Sequence, residues 1–321
     1  VRSIFKAVIS FHKRKIEPIV LVHGGAGKIS ESKVPLKLKG VQLAAQVGYK
    51  TLQSSGSVMD AVESAVRSME SDENFNAGYG SVLTWDGDVE QDAAIMDGKD
   101  LSAGCVSIVQ DILHPITVAR RVMEKTRHAF LAGNGVMDFA KQQGFKILPP
   151  GALVTEASKK ALEDFKNSIN KTSTCLHEKV PEEAQFGEPG TVGAVAIDSD
   201  GNIAVATSTG GITGKLPGRI GDTPVLGAGT YADSRVGGVS ATGHGESIMR
   251  FNVAQKILQL MEYKGLDAQE ATAAVLKRMT AELKGTGGAI TIDAKGNVGI
   301  YFTSENMAWA FQRGDELMSG I

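Results

Sequence analysis

Thr191 follows Gly190 and opens the run Thr191-Val192-Gly193-Ala194-Val195, whose pattern is that of a β-strand. If the peptide bond before Thr191 is cut, that residue carries both a hydroxyl nucleophile and a free α-amine. An α-amino group titrates near neutrality, at roughly 7.7–8.0. It can therefore take the hydroxyl proton at a pH where a lysine side chain stays charged. This is the threonine and N-terminal-amine form of nucleophilic catalysis. The plain alternative is a turn followed by a β-branched strand residue, and these few residues alone do not decide between the two.

Other residues could serve the same chemistry. Arg219 and Asp222 lie in the Gly-rich loop Gly218-Arg219-Ile220-Gly221-Asp222. A guanidinium fork matches an α-carboxylate and a carboxylate matches an α-ammonium, so the pair could select a free amino-acid end. A solvated surface pair is the ordinary alternative. Thr242 and Gly243 could offer a hydroxyl and a backbone N–H to an oxyanion, or simply cap the helix that follows. Thr209, before Gly210-Gly211, reads as a strand-end threonine, and Asn76 as a turn asparagine. His244 reads as structural, and His23-Gly24-Gly25 as a flexible strand-end loop bordering the site.

Apolar and turn patterning supplies the elements that would position these groups. Ile19–Val22 is a β run, and apolar residues recur at helical spacing over Leu36–Leu52 until Gly56. Ser57 with Asp60 predicts an N-cap for a helix through Met69. Trp85-Asp86-Gly87-Asp88 reads as a hairpin turn between two strands, and 102–109 as a strand. Pro115–Lys125 and Gly135–Gln143 read as helices. After Thr191, strands over Val192–Ile197 and Ile203–Ser208 flank Asp198–Gly201, and Ala289–Ile292 and Val298–Phe302 flank Asp293–Asn297. Helices are expected at Glu246–Tyr263 and Asp267–Lys284. Residues 151–190 are polar and linker-like apart from a helix near Glu156–Asn167. There is no repeat that argues for duplication.

Composition narrows the class. The 321 residues suffice for a large core, and a net charge of −2 points to neither nucleic acid nor membrane as partner. No apolar run reaches the ~20 residues of a membrane span. The only cysteines are Cys105 and Cys175, a poor disulfide framework that favours a reducing, cytoplasmic setting. Residues 1–15 are basic, with apolar positions at helical spacing. They read as a targeting segment of mitochondrial type or as an extension without function. The glycines of His23-Gly24-Gly25-Ala26-Gly27 form neither dinucleotide nor P-loop motif.

Several motifs run in one order along residues 18–320. They are His23-Gly24-Gly25-Ala26-Gly27, Phe75-Asn76-Ala77-Gly78, Met96-Asp97-Gly98, Gly190-Thr191-Val192-Gly193, Thr207–Gly211, Gly218–Asp222 and Thr242–Glu246. In these the chain resembles the plant-type L-asparaginase and isoaspartyl peptidase group of N-terminal nucleophile hydrolases. The resemblance implies an α+β fold, a four-layer αββα sandwich, made as a precursor that cuts itself between Gly190 and Thr191. It implies one domain divided into residues 18–190 and 191–321, preceded by an extension over 1–17. It makes Thr209 the hydrogen-bond partner of the Thr191 hydroxyl and gives Arg219 and Asp222 the α-groups of an aspartyl substrate. Thr242 and Gly243 become the oxyanion hole, and Asn76 a support for the nucleophile region or for the precursor's oxyanion. The implied activities are hydrolysis of L-asparagine and of β-linked aspartyl dipeptides, by a homodimer of cleaved protomers. No cofactor is implied for catalysis. A structural sodium ion is implied, wrapped by backbone carbonyls of Met69, Glu70, Asp72, Phe75, Ala77 and Tyr79. Carbonyl ligation leaves little signature in residue type, so the ion rests on resemblance alone.

Two other readings compete. Glycosylasparaginase shares the Gly-Arg-x-Gly-Asp loop and the threonine, but Gly rather than Asp precedes Thr191 here, cysteines are two, and no clear secretory signal is visible. An uncleaved, inactive relative acting as a binding protein would be seen as one persistent band on a denaturing gel.

Overall fold

The computed structural model describes residues 15–172 and 190–321. The sequence-based expectations for residues 1–14, for the linker over 173–189 and for Cys175 lie outside them. The chain order is β1 (Ile19–Gly27), α1 (Val34–Ser55), α2 (Val58–Glu70), β2 (Gln91–Asp97), β3 (Ala103–Val109), α3 (Pro115–Lys125), β4 (Phe130–Ala132), α4 (Gly133–Gln142) and α5 (Glu156–Thr172). It continues with β5 (Val192–Ile197), β6 (Ile203–Thr209), β7 (Thr230–Asp233), β8 (Gly237–Gly243), α6 (Gly245–Phe251), α7 (Val253–Lys264) and α8 (Ala268–Leu283). It closes with β9 (Gly287–Asp293), β10 (Val298–Phe302), β11 (Asn306–Arg313) and β12 (Glu316–Gly320). The class is α+β.

Eight strands form one sheet, in the order β12-β11-β1-β5-β6-β2-β3-β4, and four form a second, β10-β9-β8-β7. All pairs are antiparallel except β3 with β4. Alternation along the strands decides what each face touches. In β1 and β5, Val20, Val22, Ala194 and Ala196 face α1 and α2. Their neighbours Ile19, Leu21, Val195 and Ile197 face the second sheet and meet Ile290 and Ile292 of β9. Alanines on the helix side let the helices approach closely, and larger β-branched residues fill the space between sheets. On the far side, Val239, Ala241 and Ala289 of the smaller sheet pack under α7 and α8.

Caps set the element ends. Ser57 accepts the N–H of Asp60 at 3.1 Å, and Gly56 ends α1 with φ 69°. Asp267 and Glu270 form a capping box at the start of α8.

Four expectations need correction. The single helix over Glu246–Tyr263 is two, because Asn252 takes left-handed angles, φ 59° and ψ 56°, and ends α6. Trp85–Asp88 is a turn, but its flank bridges elsewhere: Thr84 pairs with Lys215. The helix near Glu156 runs on to Thr172, further into the segment read as linker. The His23-Gly24-Gly25 stretch is no loose loop. It is part of β1, irregular between His23 and Ala26, and His23 is fully buried.

Candidate active site

β5 lies between β1 and β6, with His23 opposite Gly193 and Ser208 opposite Val192. Thr191 therefore sits at the end of a strand braced on both sides. Its hydroxyl donates to Thr209 Oγ1 at 2.9 Å, and the Gly211 N–H donates to the same oxygen at 3.0 Å. Thr209 has no charge, so it fixes the Thr191 hydroxyl without acting as a base.

The carbonyl of Gly190, which belongs to the bond before Thr191, accepts the Asn76 backbone N–H at 3.2 Å. The approach is close: a Cβ on residue 190 would collide with the Asn76 backbone and Cβ. Glycine is required there for that reason. The Asn76 side chain joins two further segments, donating to Gly211 O at 2.7 Å and accepting from Val82 N at 3.0 Å. One residue thus holds the carbonyl before Thr191 and the loop after Thr209.

Thr242 reaches this edge through the sheet-to-sheet packing. A Cβ on Gly238 would meet Val195 Cγ1 at 3.0 Å, and one on Gly193 would strike Ser240 and His23. Two residues further along each strand, the same series brings Thr242 toward Thr191. Thr242 Oγ1 accepts the Ala26 N–H at 3.2 Å, which leaves its own hydroxyl hydrogen to donate. Gly243 follows with φ 128°, a conformation that favours glycine.

His23 is deeper. Its Nε2 lies 2.8 Å from Ser240 Oγ, which lies 2.8 Å from Thr207 Oγ1, and Thr230 donates to Thr207 at 2.7 Å. Burial pushes the imidazole down to about 3, against a weaker opposing pull from the Thr191 backbone. His23 stays neutral across the working range and cannot serve as a base near pH 7. His244 hydrogen-bonds Ser247 at 2.7 Å within its own helix start.

Arg219 and Asp222 do converge, and a third residue joins them. Arg219 donates Nε and Nη2 to Glu246 Oε1 at 3.0 and 2.8 Å. One edge of the fork is thus already engaged by Glu246, leaving Nη1. Burial raises Glu246, but Arg219 outweighs it and holds the carboxyl below its ordinary range. Asp222 is buried, and among the described residues its Oδ2 has no hydrogen-bond partner. Burial pushes Asp222 up to about 7, Arg219 works against this, and Glu246 and Asp92 add to it. An incoming ammonium would supply the missing partner. Sequence reasoning missed Glu246 as the Arg219 partner, although it stands within Thr242–Glu246. The tie from His23 to Ser240 also escaped it, because that contact depends on two sheets meeting.

The last residues of α2 and the turn after it hold the residues of the expected ion loop. Cβ atoms on Gly78 and Gly80 would fill the space against the carbonyls of Glu70, Glu73 and Phe75. The Glu70 carboxylate points elsewhere, accepting from Ser208 Oγ at 2.7 Å and Ile116 N at 3.1 Å.

The asparaginase family matches residues 16–320. The chain belongs to this family. Among curated relatives, a probable isoaspartyl peptidase/L-asparaginase of Drosophila melanogaster is 50% identical over 317 residues, covering 95% of each chain. The human isoaspartyl peptidase/L-asparaginase is 48% identical over 307 residues, 95% of this chain and 96% of its own. The mouse protein of that name is 47% identical over 308 residues, 94% and 90% respectively. An asparaginase-family chain is a hydrolase, and the threonine cluster around residue 191 is its candidate centre. No helix among the described residues is long and apolar enough to cross a membrane.

A pH effect follows for this family member. If Asp222 pairs with a substrate ammonium, it should lose that role as pH falls through about 7 and the carboxylate takes up a proton. KM for asparagine should then climb, approaching tenfold per pH unit well below that value. A free α-amine at Thr191 would also titrate near neutrality, but its protonation would lower kcat instead. Separate pH profiles of KM and kcat check this. Asp222→Asn should abolish the acid rise in KM and hold KM high throughout.

Proposed function

We propose that this protein matures by cutting its own Gly190–Thr191 bond and then hydrolyses L-asparagine and β-aspartyl dipeptides through an acyl-enzyme on Thr191. The observation that carries the reading is a pair of contacts. The Thr191 hydroxyl is held by Thr209 at 2.9 Å, while the carbonyl before it is held by the Asn76 N–H at 3.2 Å.

In the first reaction, Thr191 Oγ attacks the Gly190 carbonyl carbon. The Asn76 N–H stabilises charge on the carbonyl oxygen, the C–N bond breaks, and the amide becomes an ester with a free Thr191 amine. Water cleaves the ester. In the second, that amine takes the hydroxyl proton and Thr191 attacks the side-chain amide of the substrate. Thr242 and the Gly243 N–H stabilise the oxyanion. The leaving ammonia or amine carries off the proton, and water releases aspartate. Arg219 and Asp222 would grip the α-carboxylate and α-ammonium, so the far-side amide arrives at Thr191.

The helices outside each of the two packed sheets support an αββα sandwich of N-terminal nucleophile type. We take the mature form as a homodimer, each protomer divided into a chain ending at Gly190 and one starting at Thr191. A sodium ion held by carbonyls of Met69, Glu70, Asp72, Phe75, Ala77 and Tyr79 fits a turn whose glycines leave room for it. It would brace Asn76 and take no part in the reaction. The buried free thiol of Cys105 agrees with a reducing compartment such as the cytoplasm.

The test is a substrate panel on fully cleaved protein. L-Asparagine and β-Asp-Phe should turn over, because no residue of the proposed clamp grips the leaving group. α-Asp-Phe should fail, since its α-carboxylate is consumed in the peptide bond. L-Glutamine should be poor, its carbonyl displaced about 1.5 Å by the extra methylene, a misplacement that can cost ~10²-fold. Equal turnover of the two dipeptides would refute the clamp, and turnover of glycosylated asparagine alone would point to glycosylasparaginase activity.

A further inference from the structure

Beneath the Arg219 loop lies a second cation that the proposed mechanism does not use. Lys215 is buried, and among the described residues its ammonium makes one hydrogen bond, to the Glu90 carbonyl at 2.7 Å. No carboxylate of those residues pairs with it directly. The Glu90 side chain returns to the same loop, accepting the Gly218 N–H at 2.8 Å. Lys215 is also pinned through its backbone: its carbonyl accepts the Trp85 N–H at 2.8 Å, and Gly214 N donates to Leu83 O at 2.8 Å.

What Lys215 faces is informative. A Cβ on Gly211 would lie 3.0 Å from Lys215 Nζ and 3.3 Å from Arg219 Nη1. The two cations therefore converge on one spot, beside the residue whose N–H donates to Thr209. Asp92, on β2, is the register partner of Thr209 and is buried, its Oδ2 without a hydrogen-bond partner among the described residues. Its other oxygen accepts the Ile108 N–H at 3.2 Å.

We propose that Lys215 is a positioning residue for substrate recognition: its buried ammonium ties the Gly211–Asp222 loop to the Glu90–Asp92 segment and balances the carboxylates beneath Arg219. This rests on the reading above, in which Arg219 and Asp222 bind the α-groups. The groups that face Asp222 are Arg219 on its own loop, Glu246 on α6 and Asp92 on β2. Lys215 in turn faces Asp92, Arg219 and Glu90. Burial pushes Lys215 down, Asp92 and Glu90 pull it back up, and Arg219 pushes it further down. Burial raises the Asp92 carboxyl and Lys215 opposes this, so with Lys215 gone Asp92 is pushed further toward its neutral form and the loop loses its charged tie. With Asp92 gone, Asp222 becomes easier to ionise.

The experiment compares Lys215→Met, Lys215→Arg and Asp92→Asn in full-length, cleaved protein with asparagine as substrate. Lys215→Met should raise KM about tenfold, the effect of weakening one charge-assisted contact, with kcat changed far less. Lys215→Arg, which keeps a buried cation, should hold KM near the wild-type value. Asp92→Asn should move the acid rise in KM to lower pH. The rise in KM without a matching fall in kcat, and its rescue by arginine, are the signature, since loss of packing alone would lower the melting temperature and give no such split. An unchanged KM in Lys215→Met, or a fall in kcat as large as the rise in KM, overturns the role of Lys215. If Lys215→Met does not fold, the Asp92→Asn limb decides: a shift to lower pH supports the charge balance and no shift overturns it. Wild-type protein that does not turn over asparagine overturns instead the reading on which this rests.

Discussion

Thr191→Ala protein should remain a single chain, with the Gly190–Thr191 bond intact. The Asn76 N–H still holds the Gly190 carbonyl, but nothing attacks it. Because no free amine is produced, both the nucleophile and the base are lost together. Asparagine turnover should fall by roughly 10⁴-fold or more, as when a nucleophile is removed from other acyl-transfer sites. Intact mass measures cleavage, its position and the nucleophile at once. Efficient cutting at the same bond in Thr191→Ala would exclude the mechanism. Thr191→Ser should cut more slowly: it keeps the hydroxyl but loses the methyl that restricts χ1 and helps aim it at Thr209.

Arg219→Lys should separate recognition from maturation. The arginine spends Nε and Nη2 on Glu246 and keeps Nη1 beside Gly211. A lysine ammonium is one point of charge and cannot hold Glu246 while also presenting a directed N–H to a carboxylate. Loss of a hydrogen bond to a charged group costs about 1.5–3 kcal/mol, so KM for asparagine should rise roughly tenfold to a hundredfold. Cutting of the Gly190–Thr191 bond needs no substrate and should survive. Steady-state kinetics beside a denaturing gel measure both. Unaltered asparagine kinetics would make the Arg219–Glu246 pair a surface feature only.

Much of this was legible in the sequence because it depends on local chemistry. Asp198–Gly201 and Asp293–Asn297 read as turns, and both fold the same way: the amide of Asn202 in one and of Asn297 in the other returns to the aspartate at 2.7 Å. The cap at Ser57 and the strands around Thr191 are equally local. The split at Asn252 was not legible, since apolar spacing runs through it and only its φ breaks the helix. Strands β7, β8, β11 and β12 were also not read: β7 and β12 are only four and five residues long and β8 is rich in glycine, so their apolar alternation is weak. The site divides along the same line. Thr191, Arg219 and Asp222 stand in short motifs whose chemistry can be named. Lys215 and His23 gain meaning only when β2 approaches β6 and when β8 crosses β5.

The strand order of the larger sheet bears on what happens after the cut. From one edge inward, β12 and β11 belong to the later piece, β1 to the earlier, β5 and β6 to the later, and β2 to β4 to the earlier. The two pieces are shuffled together like cards, with seams at β11–β1, β1–β5 and β6–β2. Neither can drift away without breaking backbone ladders in the middle of a sheet. A nicked protein of this kind should melt in one cooperative transition, with both pieces unfolding together. Rejoining the separated pieces would amount to refolding the whole molecule.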